Sequence, residues 1–353
     1  QPEGRLRSSV HAIRSIFRQL WIRGRLTAGN YETILMKQAF FYTNNRVKSE
    51  CLLYKRESIR YNLIVWTKNF CPYNIRMIKK IDVYRKKKVP MDKTMTICFT
   101  NNKGGSGKST TCSNLGAAMA RTGKKVLLVD GDMQLNLSLS FFSEDKVLEM
   151  AAGEKNLYYA IGKQQDLTDF IVHTAYPNLD LIPSSTLMSS IEYELFTKWQ
   201  RELILRKCLQ KIKDSGVYDY ILIDAPPTLG GWVMNILCAS DRVIIPVEAS
   251  PWGMFGLANM FDFLNDVKQI APDLMVMGVV LTKVDTRKNY FRQTMETFQE
   301  MPDIHLFDTL IRVDSSIEWS QDSSAPVVEF KKSSRSAGEY MELAKEVMEY
   351  GSR

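Results

Sequence analysis

A glycine-rich turn joins a predicted strand to a predicted helix in the first third of the chain. Its sequence is Lys103-Gly104-Gly105-Ser106-Gly107-Lys108-Ser109-Thr110. The apolar run Met95–Thr100 before it predicts a buried strand, and Ser109–Arg121 after it predicts a helix that stops at Gly123, a typical C-terminal glycine. Glycines let consecutive backbone N–H groups point inward, and the helix presents its positive N-terminus to the same space. The segment therefore predicts a loop that binds phosphates.

The residue types at the end of this loop predict a site for ATP and Mg²⁺. Lys108 is placed to reach the β- and γ-phosphates, and the Ser109 hydroxyl to ligate Mg²⁺. Thr110 is placed to donate to an α-phosphate oxygen. One position departs from the general G-x-x-x-x-G-K-[ST] pattern, because Asn102 stands where its first glycine is expected. Lys103 adds a second lysine at the start of the loop.

From about residue 94 onward, short apolar runs alternate with helix-length amphipathic segments, which is typical of stacked βα units. Several runs are apolar almost throughout, as in parallel strands covered on both faces. The pattern predicts a three-layer α/β/α P-loop NTPase fold around a mostly parallel, twisted sheet. The predicted strands are Met95–Thr100, Val126–Asp130, Leu179–Ile182, Tyr220–Asp224, Val243–Val247 and Val276–Leu281. The predicted helices are Ser109–Arg121, Ile191–Lys213, Phe255–Val267, Lys288–Glu300 and Ala337–Glu349.

The charge of the chain changes sign near residue 91. Residues 1–90 carry 20 Lys and Arg against 5 Asp and Glu, whereas residues 91–353 carry 27 against 34. We therefore predict a basic N-terminal extension, 1–90, and an ATPase domain, 91–353. Three interpretations of the extension remain open. The first is a small nucleic-acid-binding module in which basic and aromatic residues interleave. The second is a solvated extension, and the third is a stretch that precedes the natural start at Met91.

Composition excludes several other classes of protein. No apolar run approaches the roughly 18 residues that a membrane span requires, and the arginine-dotted N-terminus lacks the apolar stretch of a secretory signal. A cytoplasmic location is expected. The six cysteines form no CxxC pair and the three histidines are scattered, so we expect neither a disulfide frame nor a metal site made of protein ligands alone.

The run Lys-Gly-Gly-x-x-Lys-Ser resembles the deviant Walker A motif of the ParA/MinD family. Three more stretches are similar to family motifs and occur in the same order as in the family. The resemblance therefore covers about residues 94–350. Within the family, the chain looks closest to the ParA/Soj partition ATPases. These stretches are the Asp-x-Asp motif after a strand at 126–134, the Walker B strand at 218–227, and the strand that follows it at 243–248.

The resemblance implies a role for each matching residue. Lys103 matches the signature lysine that reaches across a dimer to the partner's nucleotide. Asp132 matches the acid that orients the attacking water, Asp224 the Walker B acid that holds Mg²⁺ through water, and Asp130 a supporting acid. Lys108 and Ser109 match the P-loop lysine and the Mg²⁺ ligand, within a nucleotide-binding segment 103–110. The family also implies a homodimer with ATP sandwiched at its interface, nonspecific DNA on the nucleoid, and a centromere-binding partner that activates the ATPase.

The resemblance weakens in two places. Met133 and Leu135 replace the Pro and Gly usual around Gln134. The family tends to place a DNA-binding arginine where this chain has Ser316, within a stretch of net negative charge. The remaining candidates for DNA contact, which also suit a solvated charged face, are Arg287, Lys288, Arg292, Lys331, Lys332 and Arg335. Two segments, 282–285 and 312–314, are candidates to approach the base.

Three other functions are weighed against DNA partitioning. A MinD-like membrane-positioning ATPase is the main alternative, but it needs a basic amphipathic tail, and residues 340–349 are acidic. A bacterial tyrosine kinase would have a tyrosine cluster at the tail, where only Tyr340 and Tyr350 stand. An ATPase of the nitrogenase iron-protein type needs cysteines placed to hold a cluster, whereas Cys112 and Cys208 fall within predicted helices.

Overall fold

The computed structural model describes residues 94–352. The predicted basic extension, residues 1–90, and the start proposed at Met91 lie outside the described residues. The boundary at residue 91 therefore stays a prediction.

The described residues form a seven-stranded sheet with the order β3-β4-β2-β5-β1-β6-β7. All neighbouring strands run parallel except β3, which pairs antiparallel with β4 at the edge. The mostly parallel sheet predicted from the sequence is confirmed. The strands are β1 (Met95–Phe99), β2 (Val126–Asp130), β3 (Val172–His173), β4 (Leu179–Ile182), β5 (Tyr220–Asp224), β6 (Arg242–Glu248) and β7 (Met275–Thr282).

Helices surround this sheet. In chain order they are α1 (Lys108–Arg121), α2 (Asn136–Leu139), α3 (Glu144–Ala152), α4 (Leu157–Lys163), α5 (Ile191–Phe196), α6 (Ile204–Ser215), α7 (Gly231–Ala239), α8 (Pro251–Lys268), α9 (Asn289–Gln299), α10 (Ser315–Asp322), α11 (Val327–Phe330) and α12 (Arg335–Ser352). Short 3₁₀ helices span Leu167–Phe170, Thr186–Ser190 and Arg201–Leu203.

Both faces of the central strands are buried, which explains why the sequences of these strands are continuous apolar runs. Ile97 and Phe99 of β1 belong to a core cluster with residues of α1 and α12. Cys98, which points to the other face of the pleat, is also fully buried, where α7 packs against β1. Helices on both faces complete the predicted three-layer fold.

One predicted helix is wrong. The pattern over Ile191–Lys213 predicts a single helix, but the chain forms α5, an irregular turn with a 3₁₀ segment, and α6. The break falls at Gln200, whose φ of 49° is left-handed and cannot continue a right-handed helix. No glycine or proline marks this turn, so the apolar periodicity hides it.

Some short elements were not predicted. Strand β3 has two residues and lies at the exposed edge, so it carries no readable alternation. Helix α10 does have a sequence signal, because Asp314 accepts a hydrogen bond from Ser316 N at 2.9 Å and so caps its first turn. Elsewhere, Gly123 follows α1 with a φ of 90°, as its predicted role as a C-terminal glycine requires.

The topology brings the ends of three central strands together. Phe99 of β1 and Asp130 of β2 both pair in register with Asp224 of β5. The loop after β1 and the acids after β2 and β5 therefore share one edge of the sheet, where ligands bind in open α/β folds. None of the helices in residues 94–352 combines the length and the apolar character that crossing a bilayer requires.

Candidate functional site

The glycine-rich loop has the backbone of an anion nest. Gly105 and Gly107 have φ values of 74° and 85°, a region that residues with a Cβ rarely adopt. The Gly107 carbonyl accepts from Thr111 N at 2.8 Å, which starts α1 directly after the loop. Asn101 fixes the other end, since its amide donates to the Pro246 carbonyl at 2.7 Å while its oxygen accepts from the backbone N–H of the residue two positions on. One end of the loop is thus fixed to the sheet and the other to α1.

The loop is also held from β7. The Thr282 hydroxyl donates to the Ser106 carbonyl at 2.8 Å. A Cβ at Gly107 would lie 3.4 Å from the Thr282 methyl group, so the strand end packs closely against the turn. Segment 282–285 was predicted as a candidate to approach the base, and its first residue, Thr282, supports the phosphate loop.

Lys108 is buried at the first position of α1, and its ammonium donates to the Lys103 carbonyl at 3.3 Å. Burial lowers the pKa of Lys108, and the nearby Asp224 and Asp132 carboxylates oppose that shift. A buried lysine near two acids, directly after the glycine-rich loop, is suited to binding a polyanion.

Asp224 is completely buried at the end of β5, and neither of its carboxylate oxygens has a hydrogen-bond partner in the described part of the chain. Desolvation raises the pKa of Asp224 well above its ordinary value, and the Asp130 charge adds to the rise, while Ser109 and Lys108 act in the opposite direction. A buried carboxylate with no partner is costly unless something binds it. The unpartnered oxygens beside a serine hydroxyl fit a hydrated magnesium ion.

Two further acids follow β2. Asp130 is fully buried and accepts hydrogen bonds from Ser138 N at 2.9 Å, Ser138 Oγ at 2.6 Å and Asp132 N at 3.3 Å. Burial raises its pKa to about 6 despite these bonds. Among residues 94–352, Asp132 accepts a hydrogen bond only from Gln134 N, at 3.1 Å, and it lines the cleft. Asp130 therefore braces the loop after β2, whereas Asp132 keeps an oxygen available to a ligand.

Gly131 and Trp232 hold these acids in place. A Cβ at Gly131 would lie 2.6 Å from the Asp224 carbonyl oxygen, so only glycine lets the ends of β2 and β5 approach this closely. The buried Trp232 indole donates to the Gly131 carbonyl at 2.8 Å. Sequence reasoning missed Trp232, which lies outside every motif that was compared.

Lys103 lies at the start of the loop and faces β6. Its ammonium forms an ion pair with Glu248, the last residue of β6, and donates to the Ser250 hydroxyl at 3.2 Å. Glu248 was quoted within a family-like strand but was not predicted as a site residue. In this conformation Lys103 is bound within its own chain.

A cleft of about 710 Å³ opens from the loop. It is lined by residues of the loop and the Asp132 segment, together with Lys283, residues 311–314 and α10. Gln321 of α10 donates to Thr110 Oγ1 at 3.0 Å, which joins α10 to α1. The two segments predicted to approach the base, 282–285 and 312–314, thus contribute to the wall of this cleft.

The first group of predicted DNA contacts lies before and within α9. Arg287 makes a two-pronged ion pair with Asp285, at 2.9 and 3.0 Å. Lys288 is the N-cap residue of α9, and Arg292 is exposed on that helix. Ser316, at the position of the family arginine, is buried and presents no side chain to solvent.

The second group lies between the end of α11 and the first residue of α12, and is exposed. Each of its cations contacts a side chain of the same chain. The partners are Trp319 for Lys331, whose ammonium lies 5.4 Å from the ring centre, Glu329 for Lys332 at 3.2 Å, and Glu339 for Arg335 at 3.5 Å. The role of both groups in DNA binding stays a prediction.

The described cysteines, Cys98, Cys112, Cys208 and Cys238, are all buried. Burial raises the pKa of each thiol, to about 11 for Cys208 and Cys238. Buried, protonated thiols do not form an exposed cluster site. Among residues 94–352, no group of three or more His, Cys, Asp or Glu side chains is placed to hold a metal by itself.

A mostly parallel sheet with helices on both faces, a glycine nest followed by Lys-Ser, and acids at two adjoining strand ends define a P-loop nucleoside triphosphatase. Comparison with known proteins narrows this class. The family described as AAA domain matches residues 94–276, which is more than half of the chain.

Two curated relatives match nearly their whole length. The sporulation initiation inhibitor protein Soj of Bacillus subtilis is 37% identical over 256 residues, covering 72% of this chain and 98% of Soj. The chromosome partitioning protein ParA of Caulobacter vibrioides is 30% identical over 253 residues, covering 71% and 93%. Among solved structures, the septum site-determining protein MinD of Pyrococcus horikoshii, complexed with Mg-ADP, is 26% identical, with a TM-score of 0.57 and coverage of 72% and 96%. The chain belongs to the ParA/MinD family of P-loop ATPases.

Proposed function

We propose that this chain is an ATP-dependent molecular switch that binds ATP with Mg²⁺, dimerises around it, hydrolyses it, and acts in DNA partitioning. The observation that carries the proposal is Asp224, whose two buried oxygens have no partner in the described residues and lie beside Lys108 and Ser109. Ser109 and, through water, Asp224 would hold Mg²⁺, which supplies charge neutralisation at the phosphates. The MinD structure complexed with Mg-ADP supports this choice of ligands.

The residues of the chain have separate roles in the proposed reaction. The N–H groups of the loop and Lys108 bind and orient the triphosphate, because phosphoryl transfer depends on positioning and charge neutralisation. Asp132, with one oxygen engaged by Gln134 N, orients the attacking water. Asp130 keeps that loop in place through Ser138.

Lys103 gives the proposed switch its dependence on a dimer. A cation supplied by another molecule can raise the rate of phosphoryl transfer by about 10³–10⁵. Lys103 would leave Glu248 and reach the nucleotide of a second copy, so that hydrolysis is fast only in the dimer. Loss of the γ-phosphate then removes what holds the two copies together.

DNA partitioning is favoured over a MinD-like membrane role by one curated relative and by α12. The Caulobacter relative is named a chromosome partitioning protein. Helix α12 buries Tyr340, Leu343, Ala344 and Val347 in the core cluster that includes α1, so its apolar face is not available to a bilayer. In this proposal the DNA is bound without sequence preference, and a separate centromere-binding protein activates hydrolysis.

The test is co-sedimentation of the full chain with DNA and, separately, with anionic lipid vesicles, in the presence of ATP, ADP or no nucleotide. We expect ATP to favour binding to DNA and to leave the vesicles unbound. Binding to vesicles alone would support the MinD-like alternative, and binding to neither would contradict the partitioning role. A Lys108→Ala variant serves as the control that cannot respond to ATP.

A further inference from the structure

Leu135 closes the turn that carries Asp132, and the proposed function does not use it. Its N–H donates to the Asp132 carbonyl at 3.2 Å, and Gln134 N donates to the Asp132 carboxylate at 3.1 Å. The Leu135 carbonyl accepts from Leu139 N at 2.9 Å and so starts α2. The conformation of Leu135 therefore decides how the chain turns from Asp132 into that helix.

The backbone of Leu135 is left-handed, with a φ of 60° and a ψ of 15°. This conformation brings the Cβ of an L-residue close to the following carbonyl oxygen, so residues other than glycine adopt it rarely. By itself, Leu135 would favour a right-handed or extended backbone, and either would open the turn. The surrounding structure must therefore stabilise the left-handed form.

Packing against α3 supplies that stabilisation. The Leu135 side chain is buried and forms a small apolar cluster with Val147 and Ala151 of α3. The partly buried side chains that pack against this cluster are Leu139, Phe142 and Met150. Burial of a leucine side chain is enough to offset the unfavourable backbone of a single residue. A right-handed or extended Leu135 would redirect its Cβ and lose these contacts.

Asp132 depends on this turn for its position. Within residues 94–352 its carboxylate accepts a hydrogen bond only from Gln134 N, inside the turn, and Asp132 lines the cleft. Asp130 accepts from Asp132 N at 3.3 Å and holds the start of the turn, whereas Leu135 holds its end. A misplacement of about 1 Å can lower the rate of an enzyme about 10²-fold, so the way in which this turn is held affects turnover.

We propose that Leu135 is a positioning residue for Asp132. Packing of the Leu135 side chain against α3 stabilises the left-handed backbone that closes the turn, and the closed turn keeps Asp132 at the cleft. This inference rests on the proposed function, in which Asp132 orients the attacking water. Leu135 makes no contact with the nucleotide in this proposal, so it affects kcat and not the affinity for ATP.

The test compares alanine and glycine at position 135 in the full chain. Leu135→Ala keeps the Cβ, and with it the unfavourable backbone, but removes the packing. We expect kcat to fall about tenfold and the Kd for ATP to stay unchanged. Leu135→Gly removes both the packing and the need for it, because glycine adopts a left-handed backbone readily, so kcat should stay near the wild-type value. Equal kcat in Leu135→Ala and Leu135→Gly would overturn the inference.

Thermal unfolding separates this effect from a general loss of stability. Leu135→Ala and Leu135→Gly both lose a buried side chain, so both should have a lower Tm than the wild type, although only the alanine variant loses turnover. Leu167→Ala, which removes a fully buried leucine that does not line the cleft, is the matched control. Its Tm should fall and its kcat should not change. An equal loss of kcat in Leu167→Ala would assign the effect to stability and contradict the inference.

Val147→Ala loosens the same cluster from the side of α3, and it serves as the second variant if Leu135→Ala does not fold. It should lower kcat in the wild-type chain and leave kcat unchanged in Leu135→Gly, where the turn no longer relies on the cluster. The same decrease in both backgrounds, or a decrease in neither, would count against the proposed role of Leu135.

A double variant separates this inference from the proposed function. In the Asp132→Ala background, Leu135→Ala should cause no further loss of kcat, because Leu135 acts only through Asp132. A further loss would show that Leu135 acts by another route. Normal turnover in Asp132→Ala alone would instead overturn the proposed role of Asp132.

Discussion

Lys103 and Glu248 form an ion pair between the start of the glycine-rich loop and the end of β6. Both side chains are less than one-third exposed, and Ser250 adds a hydrogen bond to the same ammonium. Lys103, which the proposed function places across a dimer, is therefore engaged within its own chain. In that proposal, dimerisation has to compete with this ion pair.

Weakening the pair should favour the dimer. In Glu248→Gln the charge that retains Lys103 is lost, so we expect ATP-dependent dimerisation to tighten about fivefold, equivalent to about 1 kcal/mol. Analytical ultracentrifugation at several protein concentrations measures this. In the double variant that adds Lys103→Met, the gain in dimer affinity should disappear, because no lysine remains to be released. A dimer that weakens in Glu248→Gln would instead show that Glu248 itself acts at the interface.

Lys108→Ala should reduce ATP turnover by at least about 10²-fold, because the triphosphate loses the buried cation that positions it. Phosphate release under saturating ATP and Mg²⁺ is the measurement. Lys124→Ala, at an exposed lysine beyond the end of α1, is the control and should retain wild-type rates. Wild-type turnover in Lys108→Ala would refute the assignment of the loop.

Asp132→Ala should still bind ATP and should accumulate as the dimer, with turnover reduced by about 10²–10⁴-fold. Asp132 accepts one backbone hydrogen bond and has no other partner in the described residues. Its loss therefore leaves intact the hydrogen bonds by which Asp130 stabilises the loop after β2. Size-exclusion chromatography with ATP, together with phosphate release, checks both parts. Normal turnover would remove Asp132 from its proposed role.

The free energy of unfolding of the domain should decrease as the pH drops through the usual pKa range of histidine, and His305 contributes to that decrease. Burial lowers the pKa of His305, although Glu346 and Asp308 act in the opposite direction, and its ring stacks on Tyr350 at 4.7 Å. Because the unfolded chain then binds the proton more readily than the folded one, the free energy of unfolding decreases as pH falls.

Urea unfolding at about pH 7.5 and about pH 5.5 tests this assignment. In His305→Gln the difference between the two pH values should be smaller than in the wild type. An identical pH dependence in wild type and His305→Gln would rule out His305 as a contributor.

The sequence was informative where local chemistry determines structure. The strand, the glycine loop and α1 were predictable because Gly105 and Gly107 adopt backbone conformations that other residues avoid. The break at Gln200 was not predictable, because a residue without a special turn preference adopts the left-handed conformation there. Sites that depend on distant contacts were also hidden. Trp232 reaches Gly131 and Glu248 reaches Lys103 only after the sheet has formed.

The most direct test of the account is a crystal structure of the chain with a non-hydrolysable ATP analogue and Mg²⁺. We predict that the β- and γ-phosphates lie in the loop from Gly104 to Thr110 and contact Lys108. Mg²⁺ is expected at the Ser109 hydroxyl and, through water, at the Asp224 carboxylate. A structure with that loop vacant and the nucleotide bound elsewhere would contradict the central claim.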